Sequence, residues 1–330
     1  MKKIITLFCL VVSLFATAQE SADTMYIYRG DKTVECIAIA DIDSITFVAP
    51  KYEIESPSVP SFPNYIYFSD TLYVLPIVDD KEYHNIPVVA TKSCDYDRTV
   101  AVEIVDAGSN AIEGRHYSLE SNSVTIKAGE LVGNLRVRGY HSNIDVYDSL
   151  GIKLNLIVPE DLQWDMYGTE ANVVLKKACK FDINAFTGYC VLTSTYIINY
   201  MTNIDMRLVK SEIDPENENT IIIRDYFFDG YDVRITFKPD DILNPLIEMK
   251  DQVFGSTSDA FGTLYGDGLI RMYQPTAYTS YFSSCEKFIF QYMTLYVPGM
   301  AEDANTVGTF VNAVEWISDD EAEKLKREGY

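Results

Sequence analysis

Seven aromatic side chains between positions 265 and 296 are the residues best suited to hold a ligand. Tyr265, Tyr273, Tyr278, Tyr281, Phe282, Tyr292 and Tyr296 fall within 32 residues of alternating apolar and polar chain. An aromatic face offers apolar contact to the C–H face of a sugar ring, and a phenol adds a hydrogen-bonding edge. Tyr265, Tyr273, Tyr278, Tyr281 and Tyr292 are therefore the candidate ligand-binding residues. Their competing role is strand packing with hydroxyls at the water boundary. The composition, 24 Tyr against 2 Trp, gives that role weight, since Trp is the usual platform for glycans. Gly262, Gly266 and Gly268 do not make the G-x-G-x-x-G turn that cradles phosphate before a helix.

Catalytic chemistry has no comparable concentration. There is no G-x-S-x-G nucleophile elbow and no H-E-x-x-H. His occurs only at 84, 116 and 141, and no C-x-x-C is present, which argues against zinc. His116 beside Tyr117 has the chemistry of a general base. Nothing near it supplies a nucleophile, so turn hydrogen bonding is its expected role. A catalytic carboxylate pair stays open, because acids are abundant and pairing is spatial.

The N-terminus reads as an export signal. Lys2 and Lys3 precede an apolar run at 4–15, and Ala16-Thr17-Ala18 is a small-x-small cleavage site. That run is shorter than the roughly 20 residues a membrane span needs. Cys9 lies inside the apolar run and not at its end, so no lipid anchor is expected. The expected location is periplasm or cell surface. Acidic residues outnumber basic ones, 49 to 27, and this field repels nucleic acid and anionic membranes. Five cysteines follow the signal: Cys36, Cys94, Cys179, Cys190 and Cys285. An odd count at irregular spacing is no disulfide framework. Most are expected to be buried small hydrophobes, and the one bridge put forward is Cys179 with Cys190.

Residues 19–48 read as a hairpin, with Arg29-Gly30-Asp31 as turn chemistry more than as a recognition motif. Its ending, Ile42-Asp43-Ser44-Ile45-Thr46-Phe47, resembles a leader hairpin of exported Bacteroidetes proteins. Residues 49–64 contain Pro50, Pro57, Pro60 and Pro63 and read as a linker. Residues 65–178 hold short alternating runs every 8–12 residues, the pattern of a β-sandwich. Within them, Glu113-Gly114-Arg115-His116-Tyr117, the turn Lys127-Ala128-Gly129-Glu130 and the run Ile152-Lys153-Leu154-Asn155-Leu156 resemble a Calx-beta-type domain. Some relatives of that kind bind Ca²⁺ through acids clustered at one end. The resemblance makes Asp95, Asp97 and Glu113, with Asp145 and Asp148, the candidate ligands. His116 stands where the family pattern offers an acid, and no D-x-D-x-D loop forms, so a solvated acidic rim is the alternative.

Residues 179–317 give about eight further strand signals, enough for a small antiparallel barrel or a second sandwich. This half is similar to the lipocalin-like C-terminal domains of uncharacterised Bacteroidetes envelope proteins. Lys176-Lys177, just before it, is one of the few basic spots. At 318–330, Ser318 caps a short helix with acids first and bases last, read as a solvated tail.

The fold class is therefore all-β: an Ig/Calx-beta-like sandwich followed by a barrel or second sandwich. The expected function is a non-catalytic exported envelope module that binds glycan or another envelope protein, or supports an assembly, with no resident cofactor other than Ca²⁺. A small-ligand carrier using the C-terminal barrel and an envelope hydrolase with paired carboxylates are the alternatives.

Overall fold

The computed structural model describes residues 24–28, 33–42, 64–163, 168–201, 204–301 and 305–330. The chain divides into two compact units, Met1–Ser61 and Phe62–Tyr330. In the first, β1 (Thr24–Tyr28) and β2 (Val34–Ala38) pair antiparallel, with Tyr26 opposite Cys36. The export signal, the Arg29-Gly30-Asp31 turn and nearly all of the linker lie outside the described residues. Among the described residues no helix is long and apolar enough to cross a membrane.

The second unit opens as a sandwich. Its strands are β3 (Ile66–Phe68), β4 (Leu72–Ile77), β5 (Tyr83–Ala90), β6 (Arg98–Ile104) and β7 (Tyr117–Leu119). They continue with β8 (Ser123–Ile126), β9 (Val132–Gly139), β10 (Leu150–Ile157) and β11 (Glu170–Lys177). One sheet runs β4-β11-β10-β6-β8 and the other β3-β5-β9-β7. The period of two sends Ile86, Val88 and Ala90 of β5, Leu135 and Val137 of β9, and Ile152, Leu154 and Leu156 of β10 into one shared core. The pairing is antiparallel except where the first strand of its sheet meets the last, since β4 lies parallel to β11. Gly139 is required by close approach: a Cβ there would sit 2.5 Å from Ile77 Cδ1.

The rest of the unit is a closed barrel. Its elements begin with β12 (Gly188–Ser194), α1 (Thr195–Tyr200), β13 (Met206–Ile213), β14 (Thr220–Arg224), β15 (Val233–Lys238) and β16 (Leu246–Glu248). They continue with β17 (Gln252–Ser256), α2 (Thr257–Phe261), β18 (Leu269–Tyr273), β19 (Tyr281–Ser283), β20 (Phe288–Tyr296), β21 (Thr306–Trp316) and α3 (Asp319–Glu328). Eight strands close the ring, in the order β12-β13-β14-β15-β16-β19-β20-β21 and back to β12. The ring is not sequential. The hairpin β17-β18 steps out of it and pairs with the far end of β20, while Leu246 of β16 lies opposite Tyr281 of β19.

Side chains fill the barrel. Phe186, which the sequence places at the head of a strand, ends a 3₁₀ turn, and its ring meets Phe237 at 4.6 Å, Trp316 at 5.1 Å and Phe282 at 5.6 Å. Tyr196 of α1 meets Phe254 at 5.0 Å and Phe227 and Phe310 at 5.3 Å each. A ligand carried in the lumen would need the space these rings occupy. A buried polar row crosses the same interior. Tyr226 Oη and Asn312 Nδ2 both donate to Gln291 Oε1, at 2.8 and 3.0 Å, and Ser194 Oγ donates to Asn312 Oδ1 at 2.6 Å. Gln291, Asn312 and Ser194 are opposite one another on β20, β21 and β12, so the row fixes the register of three strands.

The terminal helix carries the expected capping box, with Ser318 and Glu321 bonded reciprocally. It is not merely a solvated tail. Ala322 is fully buried, and Lys326 Nζ lies 4.1 Å from the centre of the Tyr189 ring and donates to its hydroxyl at 2.8 Å.

Candidate functional site

Alternation along two strands builds an exterior aromatic surface. On β20, Ile289, Gln291 and Met293 point into the barrel, which sends Phe288, Phe290 and Tyr292 outward. On β19, Phe282 points inward and Tyr281 outward, with 40 % of its surface exposed. Pairing of Tyr281 with Phe290 stacks their rings at 5.4 Å and 28°. Tyr278, 52 % exposed on the preceding loop, stacks on Tyr292 at 4.8 Å and 16°. Phe290 meets Tyr292 at 5.5 Å, and Tyr281 meets Phe288 at 6.0 Å. Five rings thus form one unbroken string: Tyr278, Tyr292, Phe290, Tyr281, Phe288.

Three of the five candidate tyrosines, Tyr278, Tyr281 and Tyr292, are in this string. Tyr273 is farther along the barrel, 5.8 Å from Tyr296, whose hydroxyl donates to Asp251 Oδ2 at 2.6 Å. The Asp251 carboxylate, itself held by Arg271, raises the phenol pKa of Tyr296. Tyr265 follows α2 and meets Phe261 at 6.0 Å. Phe288 and Phe290 were missed in sequence because a Phe run inside a strand reads as core.

The string ends at a cleft of about 650 Å³, within the roughly 300–1,000 Å³ of small-ligand pockets. Val146, Tyr147 and the end of β11, Lys176 and Lys177, line it from the sandwich, together with residues 178–181 of the connector. The barrel contributes residues 242–246 and Tyr281, Phe282, Glu286 and Phe288. Two ties hold these parts together. Tyr147 Oη donates to Glu286, and Cys179 is disulfide-bonded to Cys285. This corrects the pairing put forward from the sequence. Cys190 is on β12 facing the barrel core, where burial pushes its thiol up to about 12, away from Cys179. The other free thiols are not core residues, since Cys36 is exposed and Cys94 half-buried.

The cleft carries positive charge on a strongly acidic chain. Lys176, Lys177 and Lys180 line it, and none of them makes an ion pair among the described residues. The Lys81 and Glu82 backbone N–H groups, which donate to Asp79 Oδ1, hold that carboxyl below the usual range, and Lys180 adds a smaller pull in the same direction. Glu286 is the one acid among the described residues lining the cleft, so the two-carboxylate arrangement of a glycosidase is not built there.

The sandwich end proposed for calcium is arranged differently, and its residues do not fit the ion. Asp97 gives one oxygen to Lys127 Nζ at 2.8 Å and the other to the Ala128 N–H at 2.9 Å. Those bonds hold its carboxyl below the usual range. Arg98, buried beside it, donates to Asn64 Oδ1 and the Lys92 carbonyl at 2.8 Å and to the Glu130 carbonyl at 3.0 Å. Both Asp97 oxygens are thus engaged, one by a cation, where a calcium site needs six to eight free oxygens. Asp95 and Glu113 are exposed and bring no further acid to Asp97, and Asp145 and Asp148 bond within their own turn. Among the described residues no three Asp, Glu, His or Cys side chains converge as a metal set. His116 takes the turn role, its Nδ1 accepting from the Ile112 N–H at 3.0 Å.

Residues 166–328 match the model of a domain of unknown function, DUF4984. The match takes in β11, the connector, the whole barrel and α3, hence all of the aromatic string and the three lysines. No curated protein matches the chain. Among solved structures, the chain is similar to a protein of unknown function from Bacteroides ovatus, at 12 % identity and TM-score 0.32, covering 76 % of this chain and 89 % of that one. It is similar to the Calx CBD1 domain in its apo form, at 14 % identity and TM-score 0.29, covering 34 % of this chain and 96 % of that one. It is also similar to an auxiliary nutrient binding protein from Bacteroides thetaiotaomicron, at 13 % identity and TM-score 0.29, covering 80 % and 94 %.

Proposed function

We propose that this chain is an exported, non-catalytic cell-envelope module that binds glycan on the outer face of its barrel. The observation that carries the reading is the five-ring string. Burial of such rings in a barrel core would stabilise the fold, but here they face outward, with two phenols about half exposed. Rings left in water cost about 25 cal/mol for each Å² of apolar surface not buried, and a partner that covers them recovers that term. A row of flat faces fits successive sugar rings, each presenting a C–H face to stack and hydroxyls to the phenols. The disulfide is in keeping with an oxidising compartment beyond the cytoplasm.

The test is a glycan array probed with the chain beginning at Gln19, with and without Ca²⁺. Binding is expected in both conditions, and Tyr278→Ala/Tyr292→Ala should weaken it at least about fivefold, as loss of two stacking contacts of about 0.5–1.5 kcal/mol each predicts. An array with no positive glycan in either condition would remove the reading.

A further inference from the structure

The aromatic string does not stop on open surface. Its last two rings, Tyr281 and Phe288, are also walls of the cleft at the junction of sandwich and barrel. Lys176, Lys177 and Lys180 line the same cleft, and the one acid lining it, Glu286, is already engaged by Tyr147. The whole chain has 49 acids and 27 bases. A local excess of cations on such a chain is unexpected from composition, and the lysines are not spent on ion pairs among the described residues.

We propose that the cleft is a subsite for an anionic saccharide, a sugar bearing carboxylate or sulfate groups, at one end of the bound glycan. This rests on the glycan reading above and adds the charge of the ligand to it. The ring of the acidic sugar lies on Tyr281 and Phe288, and its acid group lies toward the lysine-bearing side of the cleft. An ammonium is a compact point charge with rotatable donors, suited to carboxylate or sulfate oxygens arriving in more than one geometry. A neutral sugar in the same place would bring no charge to the lysines, which outnumber the acids lining the cleft three to one. The net acidity of the chain disfavours a polyanion at large, so the lysines also bias where along the glycan the chain docks.

The experiment pairs probes of equal backbone and different charge. Hexagalacturonate is compared with its fully methyl-esterified form, and dextran sulfate with dextran, by calorimetric titration of the disulfide-bonded chain. The acidic member of at least one pair should bind at least about tenfold more tightly, with affinity falling as salt screens the contact. Which pair discriminates identifies carboxylate or sulfate. Lys176→Gln/Lys177→Gln/Lys180→Gln should abolish the preference while leaving residual binding through the rings, and its thermal transition confirms that it folds. Equal affinity for acidic and neutral members of both pairs would overturn the subsite while leaving the glycan reading standing, as would a triple variant that keeps the preference. Poly-glutamate binding as tightly as the acidic saccharides would overturn the saccharide assignment. No binding of any probe, together with a blank array, removes both readings.

Discussion

Rings pack on both sides of β19 and β20, and the two sets do different work. Phe282 and the rings around Phe186 face inward, each in contact with several others and shielded from water. Tyr281, Phe288, Phe290 and Tyr292, their neighbours along the chain, face outward and touch mainly one another. The difference is one residue of register, because a strand alternates its side chains between faces. Inner rings should therefore govern stability and outer rings binding, and substitutions can test that division.

The largest effect is expected inside. Phe186→Ala removes a ring from contact with Phe181, Phe237, Phe282 and Trp316 and should cost about 3–5 kcal/mol in urea unfolding. A loss below about 1 kcal/mol would mean that the inner cluster is not the keystone of the barrel. Next comes the tether on the turn that joins the two strands. Cys179→Ser/Cys285→Ser should cost about 2–4 kcal/mol, and reducing agent should lower the wild-type midpoint toward that of the variant. Equal midpoints for oxidised and reduced wild type would contradict this. Gln291→Leu leaves Tyr226 Oη and Asn312 Nδ2 without their acceptor inside the barrel. About 1–3 kcal/mol should be lost, recovered in part by Tyr226→Phe on the same background.

The sign of the next effect depends on pH. Asp214 is buried at the β13–β14 turn, where the Glu216 N–H, then Asn217 and Arg234, hold its carboxyl below the ordinary range. A depressed carboxyl stabilises the fold above its unfolded pKa of about 3.9, and that contribution disappears as pH falls through the lower folded value. Wild type should therefore lose more stability than Asp214→Asn between about pH 4 and pH 2, measured by urea midpoints. Parallel acid limbs would show that the carboxyl is not linked to folding. The smallest change in stability belongs to the outer surface. Tyr292→Ala should shift unfolding by less than about 1 kcal/mol while reducing glycan affinity, and a core-sized loss would erase the distinction between the two faces.

Alternation made most strands legible in the sequence, including the long pair at 288–297 and 310–317, because apolar residues at every second position mark a buried face. The Ser318 cap was legible because its chemistry is local. Three kinds of feature were not. Strand β19 has three residues, and one buried Phe cannot announce a period. Helix α1 hides in the apolar run Thr195–Tyr200, where strand and helix patterns coincide. The cleft and the Cys179–Cys285 bond join positions more than a hundred residues apart, and closeness of that kind is a property of the closed barrel. The nearer Cys190 looked the better partner only because nothing local shows that β12 turns it inward. Lys176 and Lys177 were visible as a basic spot, but their use depends on Tyr281 and Phe288 reaching the same cleft.

The Cys179–Cys285 bond also has a topological meaning. It turns residues 179–285 into a covalent ring with two tails, 1–178 and 286–330. Six of the eight barrel strands belong to the ring, while β20 and β21, which close the barrel, belong to one tail. The barrel is thus a loop of chain shut by a strap from outside it. A single protease nick anywhere in that loop opens the circle without dividing the molecule, so the two pieces part only after reduction.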